Sequence, residues 1–434
     1  MRFTALQSWL SWQERLHNTE IELGLERVWQ VAQQLGIQAQ WPLPVITVAG
    51  TNGKGSSVAM LEAIYQHAGY RVGSYTSPHL LNYNERIKIN RQPVTDELIC
   101  EAFEKIDQAR QSAADQAISL SYFEFGTMAA LSILKDAELD LLILEVGLGG
   151  RLDAVNIIDA SVALITPIAL DHQSWLGDDR ESIAAEKAGV IKPGCRVVYN
   201  DPEPAAAVLQ KVAVLHADFY CLHKNFRPQT SSAATGWDYF SDSAVLHDLP
   251  LPSLPGLHQL DNAAAVIQVT QILSAQLPLT ESAITTALTD IRLAGRFQTV
   301  SHQPAIIVDV AHNEQAVSML ASSLAQHPCN GRTFAVLAML EDKTLTQALH
   351  QIDAQIDRYY LAGLEGSRSL SADDLKQRIQ NSVSSDKLCC NTTVTEALQQ
   401  ARSAASSDDR IIIFGSFLTV SAAMQYLQVS ASEE

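Results

Sequence analysis

VITVAGTNGKGSS, at Val45–Ser57, is the stretch on which the fold of this 434-residue chain depends. A short apolar run rich in β-branched residues reaches Ala49 and then breaks into a loop that contains three glycines. The next residues, VAMLEAIYQHAG, carry apolar side chains at helical spacing. This order of strand, glycine loop and helix predicts a phosphate-binding loop.

The chemistry of the loop supports this prediction. Glycines let backbone N–H groups turn toward an anion, and the helix N-terminus adds partial positive charge. Lys54 can reach the β- and γ-phosphates, and the hydroxyl of Ser56 or Ser57 can bind Mg²⁺. The spacing departs from the general pattern G-x-x-x-x-G-K-[ST], since the gap between Gly50 and Gly53 is two residues too short and Gly55 follows the lysine. An ordinary glycine turn is the alternative, which the lysine and the flanking elements disfavour.

Composition limits the class of protein. The length predicts two or three domains, and 47% apolar with 18% charged residues is typical of a soluble globular protein. A net charge of −18 argues against non-specific nucleic-acid binding. The sequence shows neither a membrane-spanning run nor a signal peptide. Six scattered cysteines without a C-x-x-C motif indicate reduced thiols and no zinc site. We therefore expect a cytoplasmic protein with no membrane or nucleic-acid partner.

A second stretch places a carboxylate opposite the loop. LDLLILEV, at 139–146, is the clearest buried parallel strand, and it ends on Glu145 before GLGGRLDA. An acid at the carboxyl end of a central strand is where a metal ligand belongs in a doubly wound sheet, although a capped turn is the alternative. The following strand, 161–169, leads to His172, and we expect both residues at one sheet edge; a lone histidine is more often structural than a ligand.

The segment SYFEFGT, at 121–127, combines aromatic rings with a carboxylate. Tyr122 and Phe123 could stack on a flat heterocycle while Glu124 accepts hydrogen bonds from its N–H groups. Core aromatics at the start of a helix are the commoner explanation for such a segment.

Several motifs resemble one known family. AGTNGKGSS resembles the ATP loop of the Mur ligase superfamily of amide-forming enzymes, and TNGKGS within it is similar to folylpolyglutamate and dihydrofolate synthases. The same family is matched, in order, by SPHL at 77–80, NERI at 84–87, EVGLGGRLDA at 145–154, DHQSWLG at 171–177, GLHQLDNA at 256–263 and DVAHN at 309–313. The segment 20–27 resembles the family's substrate-side segment. Ala294 replaces the usual proline of the linker, and the resemblance is weakest at 195–255.

The resemblance also implies ligands and roles. It assigns ATP binding to Thr51, Asn52, Gly53, Lys54, Gly55, Ser56, Asn262, Arg296 and Asp309. It assigns Mg²⁺, with K⁺ as an optional second cation, to Ser56, Ser77, Glu145 and His172. It assigns the pterin substrate to Ser121, Tyr122, Phe123, Glu124, Leu152, Asp153 and Ala154. Catalytic roles fall to Lys54, Lys187 and His312, with Lys187 N-carbamylated or, alternatively, unmodified and paired with an acid. The amide of Asn262 suits both the donor and the acceptor edge of adenine.

The fold class predicted is α/β in two domains. Residues 1–294 would form an ATP- and pterin-binding P-loop domain with a doubly wound, mainly parallel sheet, and residues 1–40 would be helical. Residues 295–434 would form a smaller, Rossmann-like glutamate-ligase domain. Its strands are expected at 305–310, 333–338, 359–362 and 411–414, with helices beginning near 314, 343, 371 and after 414. No chemistry is assigned to 195–255.

The resemblance implies an ATP-dependent ligase. ATP would phosphorylate a carboxylate of the pterin substrate, and the amine of L-glutamate would displace phosphate from the acyl phosphate. We predict a monomeric, bifunctional enzyme that acts on dihydropteroate and on tetrahydrofolate. The alternatives are a folylpolyglutamate synthase alone, a ligase of UDP-muramyl substrates, and a folate-binding protein without turnover. The loop near residue 50 leaves too little preceding chain for a nucleotide-sugar domain, and the intact Lys54, Glu145 and His172 disfavour loss of turnover.

Overall fold

The computed structural model describes residues 2–19, 21–114, 116–231, 235–343, 345–366 and 368–428. Glu20, the first residue of the predicted substrate-side segment, lies outside the described residues. The chain divides into two compact units. The first comprises 1–168, 176–253 and 260–291, and the second comprises 169–175, 254–259 and 292–434. Among the described residues, no helix is both long and apolar enough to cross a bilayer.

The helices follow one another along both units. In chain order they are α1 (Leu6–Gln13), α2 (Glu26–Gln34), α3 (Lys54–His67), α4 (Asp96–Ser112), α5 (Tyr122–Asp136), α6 (Gln173–Leu176), α7 (Arg180–Lys187), α8 (Ala206–Leu215), α9 (His258–Leu273), α10 (Glu281–Asp290), α11 (Glu314–Gln326), α12 (Thr346–Asp353), α13 (Ala372–Ile379), α14 (Val394–Ala404) and α15 (Phe417–Leu427).

The strands form three sheets. In chain order they are β1 (Val45–Ala49), β2 (Val72–Tyr75), β3 (Ile87–Ile89), β4 (Gln92–Pro93), β5 (Leu141–Glu145), β6 (Val162–Ile165), β7 (Arg196–Tyr199), β8 (Phe219–Cys221), β9 (Phe226–Thr230), β10 (Gly236–Ser241), β11 (Val245–Pro250), β12 (Gln298–His302), β13 (Ala305–Val308), β14 (Thr333–Leu337), β15 (Arg358–Gly363), β16 (Leu388–Thr393) and β17 (Arg410–Phe414).

The first unit is built on an eight-stranded sheet in the order β4-β3-β2-β5-β1-β6-β7-β8. The six neighbouring strands β2, β5, β1, β6, β7 and β8 pair in parallel. At the other edge, β3 pairs antiparallel with β2, and β4 pairs antiparallel with β3. Every residue of β1 and β5 is buried, which is why both segments are short runs of apolar side chains apart from Thr47 and Glu145. Because β2, β5, β1 and β6 are parallel neighbours, the loops that follow them meet at one edge of the sheet.

The segment from 195 to 255, to which the sequence assigned no chemistry, extends this unit. β7 and β8 continue the main sheet, and β9–β11 form a separate three-stranded antiparallel sheet. Trp237 and Tyr239 of β10 are fully buried, and the Tyr239 hydroxyl donates to Gln268 Oε1 on α9 at 2.8 Å. The small sheet was missed because its strands are short and largely exposed on one face.

The second unit contains a six-stranded sheet in the order β12-β13-β17-β14-β15-β16. Its pairs are parallel except for β12 with β13. The predicted α/β class is thus confirmed for both sheets. The sequence missed β16 and α14, since LCCNTT is a half-exposed edge strand without a continuous apolar run. The prediction that residues 1–40 are helical holds for α1 and α2 but not for the described residues outside these two helices.

Candidate active site

The phosphate loop has the geometry that its glycines predict. Gly50 has φ +145°, and a Cβ added there would lie 1.8 Å from Thr166 Oγ1 on the loop after β6. Gly53, with φ +91°, is the N-terminal cap of α3. The loop therefore needs glycine at both positions, once for a close approach and once for a left-handed backbone.

Two lysines converge on one carbonyl of this loop. Lys54 Nζ donates to the carbonyl oxygens of Gly50 at 3.1 Å and Thr51 at 3.2 Å. Lys187, at the end of α7, is buried, and its Nζ donates to the same Gly50 oxygen at 2.8 Å. The sequence singled out both lysines but gave no sign that they share an acceptor, because 137 positions separate Lys187 from Gly50.

Ser77 and Glu145 meet at the carboxyl edge of the same sheet. β2 and β5 are adjacent and parallel, so the residues that follow them are neighbours. The Ser77 N–H donates to Glu145 Oε2 at 3.1 Å, and Glu145 is buried. The buried Ser56 lies in the first turn of α3, which follows β1 beside β5. The structure thus assigns these three predicted metal ligands to the same unit.

The donor set fits Mg²⁺. Hydroxyl and carboxylate oxygens are the ligands a hard cation prefers, and Mg²⁺ is usually held by one or two carboxylates plus phosphate oxygens and water. Across the part of the chain that the structure describes, no group of three or more acidic, histidine or cysteine side chains forms a metal cage.

The fourth predicted ligand, His172, belongs to the second unit and not to the unit of the other three. β6 ends at Ile165, so His172 is not at the strand tip where the sequence placed it. Its φ is +53°, and burial lowers its pKa to about 4, which leaves the imidazole neutral and able to offer a lone pair at neutral pH.

The predicted pterin segment begins α5 and is more structural than the sequence indicated. Ser121 caps the helix in a capping box, in which its N–H donates to Glu124 Oε2 at 2.8 Å. The other carboxylate oxygen of Glu124 accepts from Arg27 Nη2 at 2.8 Å. Arg27 also pairs with Glu22, whose carboxylate bonds His17. Glu124 therefore fixes the helix start and α2, a role that the sequence did not reveal.

The aromatic rings of this segment pack on the protein itself. A Cβ at Gly147 would lie 2.6 Å from Phe123 Cζ, so the Phe123 ring covers the backbone of the GLGG segment. Tyr122 meets Tyr83 edge-on at 5.9 Å between ring centroids, and the Arg86 guanidinium lies 5.7 Å from the Tyr122 ring. Both rings line the region between the NERI and GLGG motifs.

Asp153 organises the glycine-rich segment after β5. Its Oδ2 accepts from the Leu148 N–H at 2.8 Å, and its Oδ1 accepts from the Val155 N–H at 3.0 Å. It caps a short 3₁₀ helix at Ala154–Ile157, which follows the half-buried Leu152. Burial raises the pKa of Asp153 to about 6, against the effect of these hydrogen bonds.

Asn262 lies against the phosphate loop. A Cβ at Gly53 would meet Asn262 Oδ1 at 3.0 Å, and that oxygen accepts from Asn200 Nδ2 at 2.8 Å. The sequence predicted Asn262 as an adenine-binding residue but gave no role to Asn200, which lies in the unassigned segment.

In the second unit, Asp309 holds the turn after β13. Its Oδ2 accepts from the Phe297 N–H and its Oδ1 from the Ala311 N–H, both at 2.8 Å. Burial raises the pKa of Asp309, and the positive charge of Arg296 opposes the rise. The Arg296 guanidinium lies 5.4 Å from the ring centroid of Phe417. The Asp309 carboxylate thus holds the backbone of Phe297, the residue next to Arg296, the other predicted nucleotide-binding residue of this unit.

Asp171 is the centre of a polar cluster that includes His312. His312 Nε2 lies 3.4 Å from Asp171 Oδ2, and its Nδ1 is 2.8 Å from the Val310 carbonyl oxygen. Lys343 pairs with Asp171 Oδ1, and Asn313 Nδ2 donates to Asp171 Oδ2 at 3.1 Å. Burial would raise the pKa of Asp171, but the His312 hydrogen bond and nearby positive charges hold it well below its ordinary value. The DHQSWLG and DVAHN motifs were visible in the sequence, but not the contact of Asp171 with His312 and Asn313.

Known proteins resemble the chain over nearly its whole length. It is 40% identical over 431 residues to the dihydrofolate synthase/folylpolyglutamate synthase of Escherichia coli. The alignment covers 98% of this chain and 96% of the E. coli protein. The chain belongs to the dihydrofolate synthase/folylpolyglutamate synthase family. The predicted family resemblance is thus confirmed. Residues 295–417 also match the model of the Mur ligase, glutamate ligase domain.

Solved structures of the family agree. The E. coli FolC structure in complex with DHPP and ADP is 39% identical, covers 98% of each chain and has a TM-score of 0.89. The bifunctional Yersinia pestis enzyme complexed with AMPPNP and Mn ion is 42% identical, with a TM-score of 0.88 over 98% of each chain. Members of this family are therefore known with nucleotide and a divalent metal.

Proposed function

We propose that this chain is a bifunctional, ATP-dependent ligase. It joins L-glutamate to dihydropteroate, forming dihydrofolate, and adds further glutamates to tetrahydrofolate. The observation that carries the proposal is the full-length match to relatives of both activities, with the phosphate loop, Ser77 and Glu145 at one sheet edge. ATP and a divalent metal are the cofactors that this family uses.

The first step is phosphoryl transfer. A carboxylate oxygen of the pterin substrate forms a bond to the γ-phosphorus, the bond to the β-phosphate oxygen breaks, and ADP leaves. Lys54 and the N–H groups of the loop offset the charge that develops on the phosphates. Mg²⁺ held by Ser56, Ser77, Glu145 and His172 would supply further charge neutralisation. Arg296 and Asp309 complete the nucleotide-binding set of this proposal.

The second step is amide formation. The glutamate amine attacks the acyl carbon, a tetrahedral intermediate forms, and phosphate leaves as the amine loses a proton. The Nδ1–H of His312 donates to the Val310 carbonyl oxygen, and Nε2 faces the ionised Asp171, so both ring nitrogens already have partners in the protein. We propose His312, held in place by Asp171, as a catalytic residue of this step, and the amine proton leaves with the departing phosphate.

Lys187 is proposed to carry a carbamate. A neutral Nζ would attack CO₂, forming an N–C bond and releasing a proton, and the product would be an acid beside the phosphate loop. The burial of Lys187 and the hydrogen bond from its Nζ to the Gly50 carbonyl oxygen support this proposal. Intact-protein mass measured with and without bicarbonate tests this assignment, and an unmodified mass in active enzyme contradicts it.

Further parts of the proposal concern organisation. The residues before and after the 294/295 junction would form the pterin/ATP and glutamate-ligase domains, and the enzyme would be cytoplasmic and monomeric. The match of the glutamate ligase domain from 295 supports the junction.

Phosphate release from ATP tests the function directly. The purified protein is supplied with Mg²⁺ and L-glutamate, and dihydropteroate is compared with tetrahydrofolate. Release with both, together with glutamylated products by mass spectrometry, is expected. Release with tetrahydrofolate alone would leave a chain-extending enzyme only. An ¹⁸O label in the substrate carboxylate should appear in the released phosphate if an acyl phosphate forms.

A further inference from the structure

Asn200 is a buried amide at the edge where the nucleotide loop lies. It directly follows β7, and its backbone N–H donates to the Ile165 carbonyl oxygen at 2.8 Å, which continues the pairing with β6. Its side chain is 1% exposed, and Nδ2 donates to Asn262 Oδ1 at 2.8 Å. Asn262 is itself buried, so the two amides form an enclosed pair.

The pair adjoins the phosphate loop. Asn262 Oδ1 lies 3.0 Å from the point where a Cβ of Gly53 would be, and Gly53 is the N-terminal cap of α3. A ligand whose phosphates bind the loop would therefore have its remaining part within reach of these amides. This geometry does not follow from the sequence, since 62 positions separate Asn200 from Asn262.

The second polar atom of Asn200 points to a ligand. Oδ1 is buried, yet it accepts no hydrogen bond from any described residue. A buried acceptor without a donor is unfavourable and uncommon in native proteins, so such an atom is suited to a donor that arrives with a ligand. Adenine presents a 6-amino donor beside the N7 acceptor, whereas a 6-oxo purine presents an acceptor at the same position.

We propose that Asn200 determines the preference for adenine. Its Oδ1 accepts from the 6-amino group, and its Nδ2 holds the Asn262 amide against Gly53. A 6-oxo purine would bring its carbonyl oxygen close to Asn200 Oδ1. Both oxygens are hydrogen-bond acceptors, so no hydrogen bond would form between them. The inference rests on the proposed function only in that the nucleotide is ATP.

Calorimetric binding of ADP and IDP tests the assignment without turnover. Asn200→Leu removes both polar atoms, and Asn200→Asp keeps an acceptor but loses the donor to Asn262. Gln268→Leu is the matched control, a buried amide on the same helix as Asn262 that bonds Tyr239. We expect wild-type protein and Gln268→Leu to prefer ADP strongly. Asn200→Leu should lose about tenfold of that preference, and Asn200→Asp should retain it while binding both nucleotides more weakly.

The outcomes are decisive for Asn200. An unchanged ADP-to-IDP ratio in Asn200→Leu, or an equal loss in Gln268→Leu, overturns the proposal. Should Asn200→Leu fail to fold, the wild-type protein is compared with purine riboside diphosphate, which lacks the 6-amino group; equal affinity for this compound and ADP overturns it as well. Failure to form dihydrofolate with intact ADP selectivity would refute the proposed reaction and leave this inference standing.

Discussion

Gly53→Ala offers a sharp test of how the phosphate loop binds nucleotide. Gly53 has φ +91°, and alanine in a left-handed conformation costs about 1–2 kcal/mol. The added Cβ would also lie 3.0 Å from Asn262 Oδ1, which must then move. We expect nucleotide binding to need this loop conformation, so the cost should appear in nucleotide affinity, as a five- to thirtyfold rise in the Kd for ADP.

The other end of the same helix supplies the control. Gly69 has φ +90°, but a Cβ added there meets no atom within 4 Å. Gly69→Ala thus has a similar backbone penalty without touching the loop or Asn262. We expect it to lower the thermal unfolding midpoint while leaving ADP binding unchanged.

Isothermal titration of ADP into the wild-type protein and both variants measures the effect, and thermal unfolding without nucleotide measures stability. The reasoning is refuted if Gly53→Ala binds ADP as tightly as the wild type. It is also refuted if Gly69→Ala weakens ADP binding by the same factor, because the effect would then be general destabilisation.

Three further predictions concern buried charges. The pKa of Asp153 is about 6 in the folded protein and 3.8 for a free carboxyl, so the free energy of unfolding should fall by ~3 kcal/mol as pH rises through this range. The thermal unfolding midpoint of the wild type, measured relative to that of Asp153→Asn, should therefore fall between pH 4 and 6. Arg27→Met leaves the buried Glu124 carboxylate without its cation and should cost about 2 kcal/mol, seen as a lower unfolding midpoint. Lys187→Met removes a donor to the Gly50 carbonyl and should raise the Kd for ADP about tenfold in calorimetry.

Each of these has a control. An identical pH dependence in wild type and Asp153→Asn contradicts the first. Glu124→Gln preserves the capping box, so Arg27→Met should cost less in the Glu124→Gln background than alone, and an equal loss speaks against the ion pair. Lys192→Met removes a lysine that donates to the Asn156 carbonyl, and it should leave ADP binding unchanged.

The site could be predicted from the sequence where chemistry lies on consecutive residues. The loop at 50–56 and the acid at the end of β5 were found because a strand, its end and the following turn are written side by side. The roles of Glu124 and Asp153 in capping were missed, since capping residues are common and nothing local marks a carboxylate that accepts hydrogen bonds from backbone N–H groups.

The sequence by itself determined the class of fold, the succession of strand, glycine loop and helix at 45–67, and the family. The hydrophobic period, the positions of glycines and the order of motifs can be read along the chain without knowing which residues are neighbours in space. Only the tertiary structure decided which residues meet: Lys187 with the Gly50 carbonyl, Arg27 with Glu124, and Asn200 with Asn262. These contacts depend on strand order in the sheet, which brings together residues 137, 97 and 62 positions apart. The order arises from how apolar faces are buried together, and no single segment encodes it.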